Sequence, residues 1–111
     1  MNNLQLPKVI QDFVFESNEH DIEAMLACFT DDAVLNDNKR QFDGIAAIRG
    51  WSDNEYIGSR VEVETKGYSF TGTEHVVSTE INGDYPAGPY HFVFSFTLLN
   101  NRIAKLRISD S

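Results

Sequence analysis

The chain has 111 residues, of which 41% are hydrophobic and 12% aromatic, and a formal net charge of -8. That length fits one domain and leaves little room for two. The acidic balance, with a pI near 4.6, argues against nucleic acid as a partner, and no apolar run approaches the ~18 residues that would span a membrane.

Cys28 is the single cysteine, so an intrachain disulfide is impossible. It lies in an apolar helical stretch and reads as a buried, inert thiol. Met1 to Pro7 shows no basic segment followed by an apolar one, so a cytoplasmic location is expected.

Pro7 suits the first turn of a helix. Val9, Ile10, Phe13 and Val14 recur at helical spacing behind it, and Phe15 points off that face. Ser17-Asn18-Glu19-His20 breaks the pattern, and Asp21 is a good N-cap for a second helix. There Ile22, Met25, Leu26 and Phe29 form an apolar stripe that Thr30-Asp31-Asp32 ends.

Ala33 to Asp37 reads as a short strand. Asp43 is a candidate cap for a third short helix, Gly44 to about Trp51, with Ile45, Ile48 and Trp51 inward, and Ser52 to Glu55 reads as a loop. Strand patterns then dominate. Arg60 to Phe70 alternates, Gly72-Thr73 marks a turn, and Glu74 to Asn82 is a second strand. After the loop Gly83 to Pro89, Tyr90 to Leu99 alternates strongly. Tyr90, Phe92, Phe94, Phe96 and Leu98 share one face; His91, Val93, Ser95 and Thr97 share the other. Asn100-Asn101 signals a hairpin into a last strand, Arg102 to Ser109. Helices first and strands afterwards predict an α+β fold with a largely antiparallel sheet.

This order carries a resemblance. Cys28-Phe29-Thr30-Asp31-Asp32-Ala33-Val34 resembles the signature of nuclear transport factor 2-like domains. Phe42-Asp43-Gly44-Ile45-Ala46-Ala47-Ile48 is similar to the start of their third helix. Gly83 to Pro89, then Phe94-Ser95-Phe96 and Asn101-Arg102-Ile103, is similar to the SnoaL-like ending. The match covers residues 6–109. It implies a cone: a curved mixed or antiparallel sheet wrapped around about three N-terminal helices and enclosing an apolar pocket. It does not by itself settle function.

Laid on ketosteroid isomerase, a member of that superfamily, Val9 to Asp37 aligns without gaps, and Asp37 falls on the general-base aspartate. A carboxylate in an apolar cavity makes a better base toward a C–H beside a carbonyl. Asp-Asn-Lys after a strand is equally ordinary turn chemistry. The isomerase's oxyanion donors fall on Phe13 and near Phe94, which cannot donate, and each missing donor costs on the order of 10²–10³ in rate.

SnoaL-like cyclases pair a pocket aspartate with histidines. Here His20 reads as a solvated loop residue and His91 as an outer-face residue, while the direction of His75 is open. Limonene epoxide hydrolase uses an Asp–Arg–Asp set, and the sequence places no two aspartates beside Arg40, Arg49, Arg60, Arg102 or Arg107. Arg49 reads as a solvated helix residue. Trp51, Tyr56, Tyr68 and Tyr90 are either pocket walls or core and rim aromatics.

The expected catalytic residue is therefore Asp37, and the expected ligand contacts are Phe13, Trp51, Tyr56, Tyr90, Phe92 and Phe94. No cofactor or metal is expected. The expected partners are an apolar or aromatic small molecule and a second copy of the chain, joined through the outer sheet face. A non-catalytic dimeric scaffold with a filled pocket is the alternative.

Overall fold

In the computed structural model, which describes residues 5–110, Pro7 stands at the N-cap of α1 (Lys8–Asn18). Its carbonyl accepts from the N–H groups of Ile10 and Gln11. Met1 to Leu4, the start of the segment read above as free of a targeting signal, lie outside the described residues. The inward side of α1 carries Ile10, Phe13 and Ser17, and Phe15 is exposed.

Asp21 caps α2 (Ile22–Leu26) by accepting from the Ala24 N–H at 3.1 Å. This helix is shorter than its apolar stripe predicts. The Ile103 N–H donates to the Cys28 carbonyl at 2.8 Å and draws the chain into the sheet, so Phe29 opens β1 (Phe29–Asp37) and does not end a helix. Pairing with a neighbouring strand outweighs a local 3.6-residue period over so short a segment.

Asn38 and Lys39, both at positive φ (54° and 78°), turn β1 back into β2 (Arg40–Asp43), a strand the polar sequence does not announce. Such paired left-handed residues match the right-handed twist of a tight hairpin. Helix α3 (Gly44–Glu55) includes Ser52 to Glu55, read from sequence as a loop. Ser52 is fully buried there, and its hydroxyl accepts from the Ile57 N–H at 3.4 Å. A single 3-10 turn, Ile57–Ser59, leads into the remaining strands.

These are β3 (Glu62–Phe70), β4 (His75–Asn82), β5 (Tyr90–Leu99) and β6 (Arg102–Asp110). The six strands form one sheet in the order β2-β1-β6-β5-β4-β3. Its pairings are antiparallel except β1 with β6, which is parallel, so the sheet is mixed. Irregularities between Thr65 and Gly67 and between Thr97 and Leu98 help bend it around the helices. Asn18 reaches the free edge of β3, accepting from the Val63 N–H at 2.7 Å and donating to its carbonyl at 3.0 Å. The edge strand thereby gains a partner where the sheet offers none.

Strand register sorts the side chains into two faces. Val77 lies opposite Phe94, and Phe94 opposite Ile108. Leu35 lies opposite Leu106, and Asp37 opposite Ile108. All of these share the concave face. His91, Val93, Ser95 and Thr97 share the convex one.

The closed end of the cone is filled around Phe13, whose ring lies 5.5 to 6.3 Å from those of Phe29, Tyr56, Phe94 and Phe96. Arg49 is ion-paired to Glu23 through both guanidinium nitrogens, at 2.6 and 2.9 Å, tying α3 to α2. It was read above as simply solvated. Among the described residues, no helix is long and apolar enough to cross a membrane.

Candidate active site

In front of the Phe13 cluster the concave face stays open. A cavity of about 440 Å³ lies between α3, the sheet and the loop after β4. Its wall includes Asp37, Trp51, Tyr56, Tyr90, Phe92 and Phe94. Phe13 is not in that wall. It is 0% exposed and lies behind Tyr56 and Phe94, in the core and not in the cavity wall. An inward helical position beside a pocket has the same sequence pattern as one behind it.

Asp37 ends β1 on the concave face. The hairpin register sets Arg40 directly across from it. Asp37 Oδ2 accepts from Trp51 Nε1 at 2.9 Å and from Arg40 Nη2 at 3.0 Å. Oδ1 takes no side-chain hydrogen bond among the described residues. The side chain is 20% exposed. Trp51 is stacked on Tyr56 at 4.7 Å, which fixes the indole that holds the carboxylate.

Arg40 also grips Glu55 at 2.5 and 2.7 Å, so one guanidinium bridges two carboxylates. Sequence reasoning missed this arrangement because both β2 and the last turn of α3 read as irregular. The hydrogen bonds and charge of Arg40 hold the Glu55 carboxyl below its ordinary value. Glu55, and after it Asp37, hold Arg40 firmly protonated.

Residues of the strand-connecting loop complete the wall. Gly83, at φ 147°, lets that loop close on the Ser59 carbonyl, to which the Asp84 N–H donates at 2.7 Å; a Cβ placed on Gly83 would stand 2.9 Å from the same oxygen. A Cβ at Gly83 has no room there. Tyr85 is thereby laid over the cavity, with its hydroxyl donating to the Glu55 carbonyl at 2.7 Å. Burial pushes the Tyr85 phenol up to about 12, and the charges of Asp37 and Glu55 add to the rise.

The Tyr56 phenol is raised by burial, and its hydroxyl points away from the cavity toward α1, donating to Ser17 Oγ at 2.8 Å. Tyr56 therefore directs no hydroxyl into the cavity. The Tyr90 hydroxyl donates to the Pro86 carbonyl.

None of the three histidines lines the cavity. The His20 ring, read above as solvated, is hydrogen-bonded through Nε2 to the Val61 carbonyl at 2.8 Å. His75 lies on the concave side, stacked against Tyr68 and Phe70. It pairs through Nδ1 with the Tyr68 hydroxyl at 2.7 Å, and burial lowers its pKa. Tyr68 belongs to that cluster and not to the cavity. His91 is exposed on the convex face. Among the described residues, no three His, Cys, Asp or Glu side chains form a group that could hold a metal ion.

A family model for the SnoaL-like domain matches residues 10–106. The chain belongs to the SnoaL-like domain family. Its fold is that of nuclear transport factor 2-like proteins, and solved structures agree. A candidate polyketide cyclase from Sinorhizobium meliloti is 25% identical, with 98% of this chain and 100% of that one covered and a TM-score of 0.89. The epoxide hydrolase/cyclase-like enzyme SalBIII, with a role in pyran ring formation in the polyether salinomycin, is 23% identical over 94% and 88% of the two chains, at a TM-score of 0.82. RV0760c from Mycobacterium tuberculosis, in complex with estradiol-17beta-hemisuccinate, is 19% identical over 96% and 95%, at 0.80. Below 25% identity these likenesses speak for the fold. No curated protein matches the chain.

Proposed function

We propose that this SnoaL-like domain binds a small apolar or aromatic molecule in the cavity and that Asp37 exchanges a proton with it. The observation that carries this reading is the open cavity of about 440 Å³ with Asp37 in its wall. That volume suits one small organic ligand. A scaffold needs no such space, and a filled cone would serve it better.

Within the reading, Trp51 and Arg40 fix Asp37 through one oxygen and leave the other to meet the ligand. A carboxylate so positioned serves as a base toward a hydroxyl, a water or an activated C–H, and returns the proton at a later step. The steroid-isomerase route is disfavoured, since Phe13 and Phe94 stand near its donor positions and neither side chain can donate. Isomerase-, dehydratase- or cyclase-like chemistry then relies on other polar groups of the wall, of which Asn54, Ser59 and Tyr85 are at hand. The ring-forming and steroid-bound neighbours support a polycyclic or aromatic ligand. Dimerisation through the convex face, where Ser95 is buried and Val93 half-buried, belongs to the same proposal.

The test is a panel of aromatic and ketone ligands screened by thermal shift and by emission of Trp51, the single tryptophan. A ligand at 100 times its Kd stabilises by about 2.7 kcal/mol. If no ligand raises Tm or alters Trp51 emission, the binding reading fails. If Asp37→Asn leaves both binding and any turnover unchanged, Asp37 has no part in it.

A further inference from the structure

We infer that the preferred occupant of this cavity is an organic cation, a protonated or quaternary amine on an apolar body. The inference rests on the small-molecule reading above and names the ligand class.

The cavity wall presents six aromatic rings and three carboxylates, those of Asp37, Glu55 and Asp84, and no Lys, Arg or His. The nearby cations, Arg40 and Arg60, are not among the lining residues. Arg40, about half exposed, spans Asp37 and Glu55, and Arg60 Nε stands 4.0 Å from Asp84. Two guanidiniums thus pair with three carboxylates, and neither guanidinium lines the cavity. The chain as a whole is strongly acidic, so the long-range field has the same sign as the local one.

Two further features act in the same direction. Aromatic rings make up much of the wall, and the quadrupole of a ring attracts a cation over its face and not an anion. Tyr56 is covered by Trp51 at 4.7 Å and by Phe13 at 6.0 Å, which leaves the half-buried pair Tyr90 and Phe92, 6.1 Å apart, as the rings a cation would meet. Asp37 Oδ1, moreover, has no side-chain donor among the described residues, because Trp51 and Arg40 both bond to Oδ2. An ammonium N–H, or the polarised methyl groups of a quaternary amine, supplies the missing positive partner. A ligand carboxylate or phosphate would face three wall carboxylates whose two guanidinium partners are not themselves among the lining residues, and would be disfavoured.

The experiment uses three probes on one naphthylmethyl scaffold: naphthylmethyl-trimethylammonium, its neutral carbon isostere neopentylnaphthalene, and the anionic naphthylacetate. Binding to the full chain is read by Trp51 emission and by Tm. The cation should bind at least about 5-fold tighter than the neutral isostere, within the roughly 2- to 30-fold that a cation–π contact provides. Naphthylacetate should bind most weakly. Tyr90→Leu, which keeps the apolar bulk and removes the π face, should narrow the gap between cation and isostere, and so should Asp84→Asn. If cation and isostere bind within about 2-fold of each other, or naphthylacetate binds tightest, the cation inference is overturned and the pocket reading stands. If none of the three changes Trp51 emission or Tm, both fall.

Discussion

Removing the indole donor that holds Asp37 should weaken the fold and the site together. In Trp51→Phe the ring that stacks on Tyr56 persists in smaller form, and the 2.9 Å bond from Nε1 to Asp37 Oδ2 is lost. A hydrogen bond to a charged acceptor contributes about 1.5–3 kcal/mol, and the smaller ring gives up about 1 kcal/mol of buried contact. The two contributions separate in a double-mutant cycle with Asp37→Ala. In the Asp37→Ala background the indole has no carboxylate to hold, so Trp51→Phe should cost only its packing share. The four proteins are unfolded in urea and followed by far-ultraviolet circular dichroism, because the fluorophore is itself altered. The expected coupling is about 1.5–3 kcal/mol. Each kilocalorie corresponds to a Tm change of about 4 °C or more in a domain of this size. A coupling below about 0.5 kcal/mol, the ordinary error of additivity for independent sites, would refute the contact between Trp51 and Asp37.

Three further outcomes follow from the same geometry. Glu55 has a folded pKa lowered by Arg40, so its contribution to stability is present above its unfolded pKa and disappears as pH falls through the lowered folded value. Wild type should exceed Glu55→Gln by less than about 1 kcal/mol near neutrality, since both partners are more than a third exposed, and urea titrations on the acid side should show the gap closing. Asn18→Ala leaves the Val63 N–H and carbonyl without their side-chain partners; a loss of about 1–3 kcal/mol and faster exchange of the Val63 amide are expected. Burial, reinforced by Asp12 and Glu16, pushes the Cys28 thiol up to about 11, so a thiol reagent at mildly alkaline pH should label native protein slowly and urea-unfolded protein fast.

The residues that make the core were legible because their spacing is regular. Ile10 and Phe13 on α1, Met25 and Leu26 on α2, and Phe94 and Phe96 on β5 all lie where periodicity sets them. The cavity wall was legible in part. Trp51, Tyr56, Tyr90, Phe92, Phe94 and Asp37 surround the cavity, and Phe13, on the same inward face, falls one layer behind it. What escaped was set by tertiary contacts. Arg40 reaches Asp37 through a hairpin whose second strand has little apolar pattern. Glu55 reaches Arg40 because α3 runs one turn past its last large apolar residue. Tyr85 lies over the cavity because Gly83 lets an otherwise unpatterned loop approach Ser59. Pairing between distant polar side chains leaves no period in a sequence, although Asn38 ahead of Lys39 was a local hint of the turn that builds it.

The most direct measurement uses the isoleucine methyl groups as position markers. Ile81 and Ile108 line the cavity, whereas Ile10, Ile48 and Ile103 are packed in the core. With δ1-methyl labelling, a bound aromatic ligand should shift Ile81 and Ile108 and show direct magnetisation transfer to both, with Ile10 and Ile103 unmoved. Asp37→Asn should change that ligand's affinity. Transfer from ligand to methyls outside the cavity, with Ile81 and Ile108 silent, would contradict a ligand seated against Asp37.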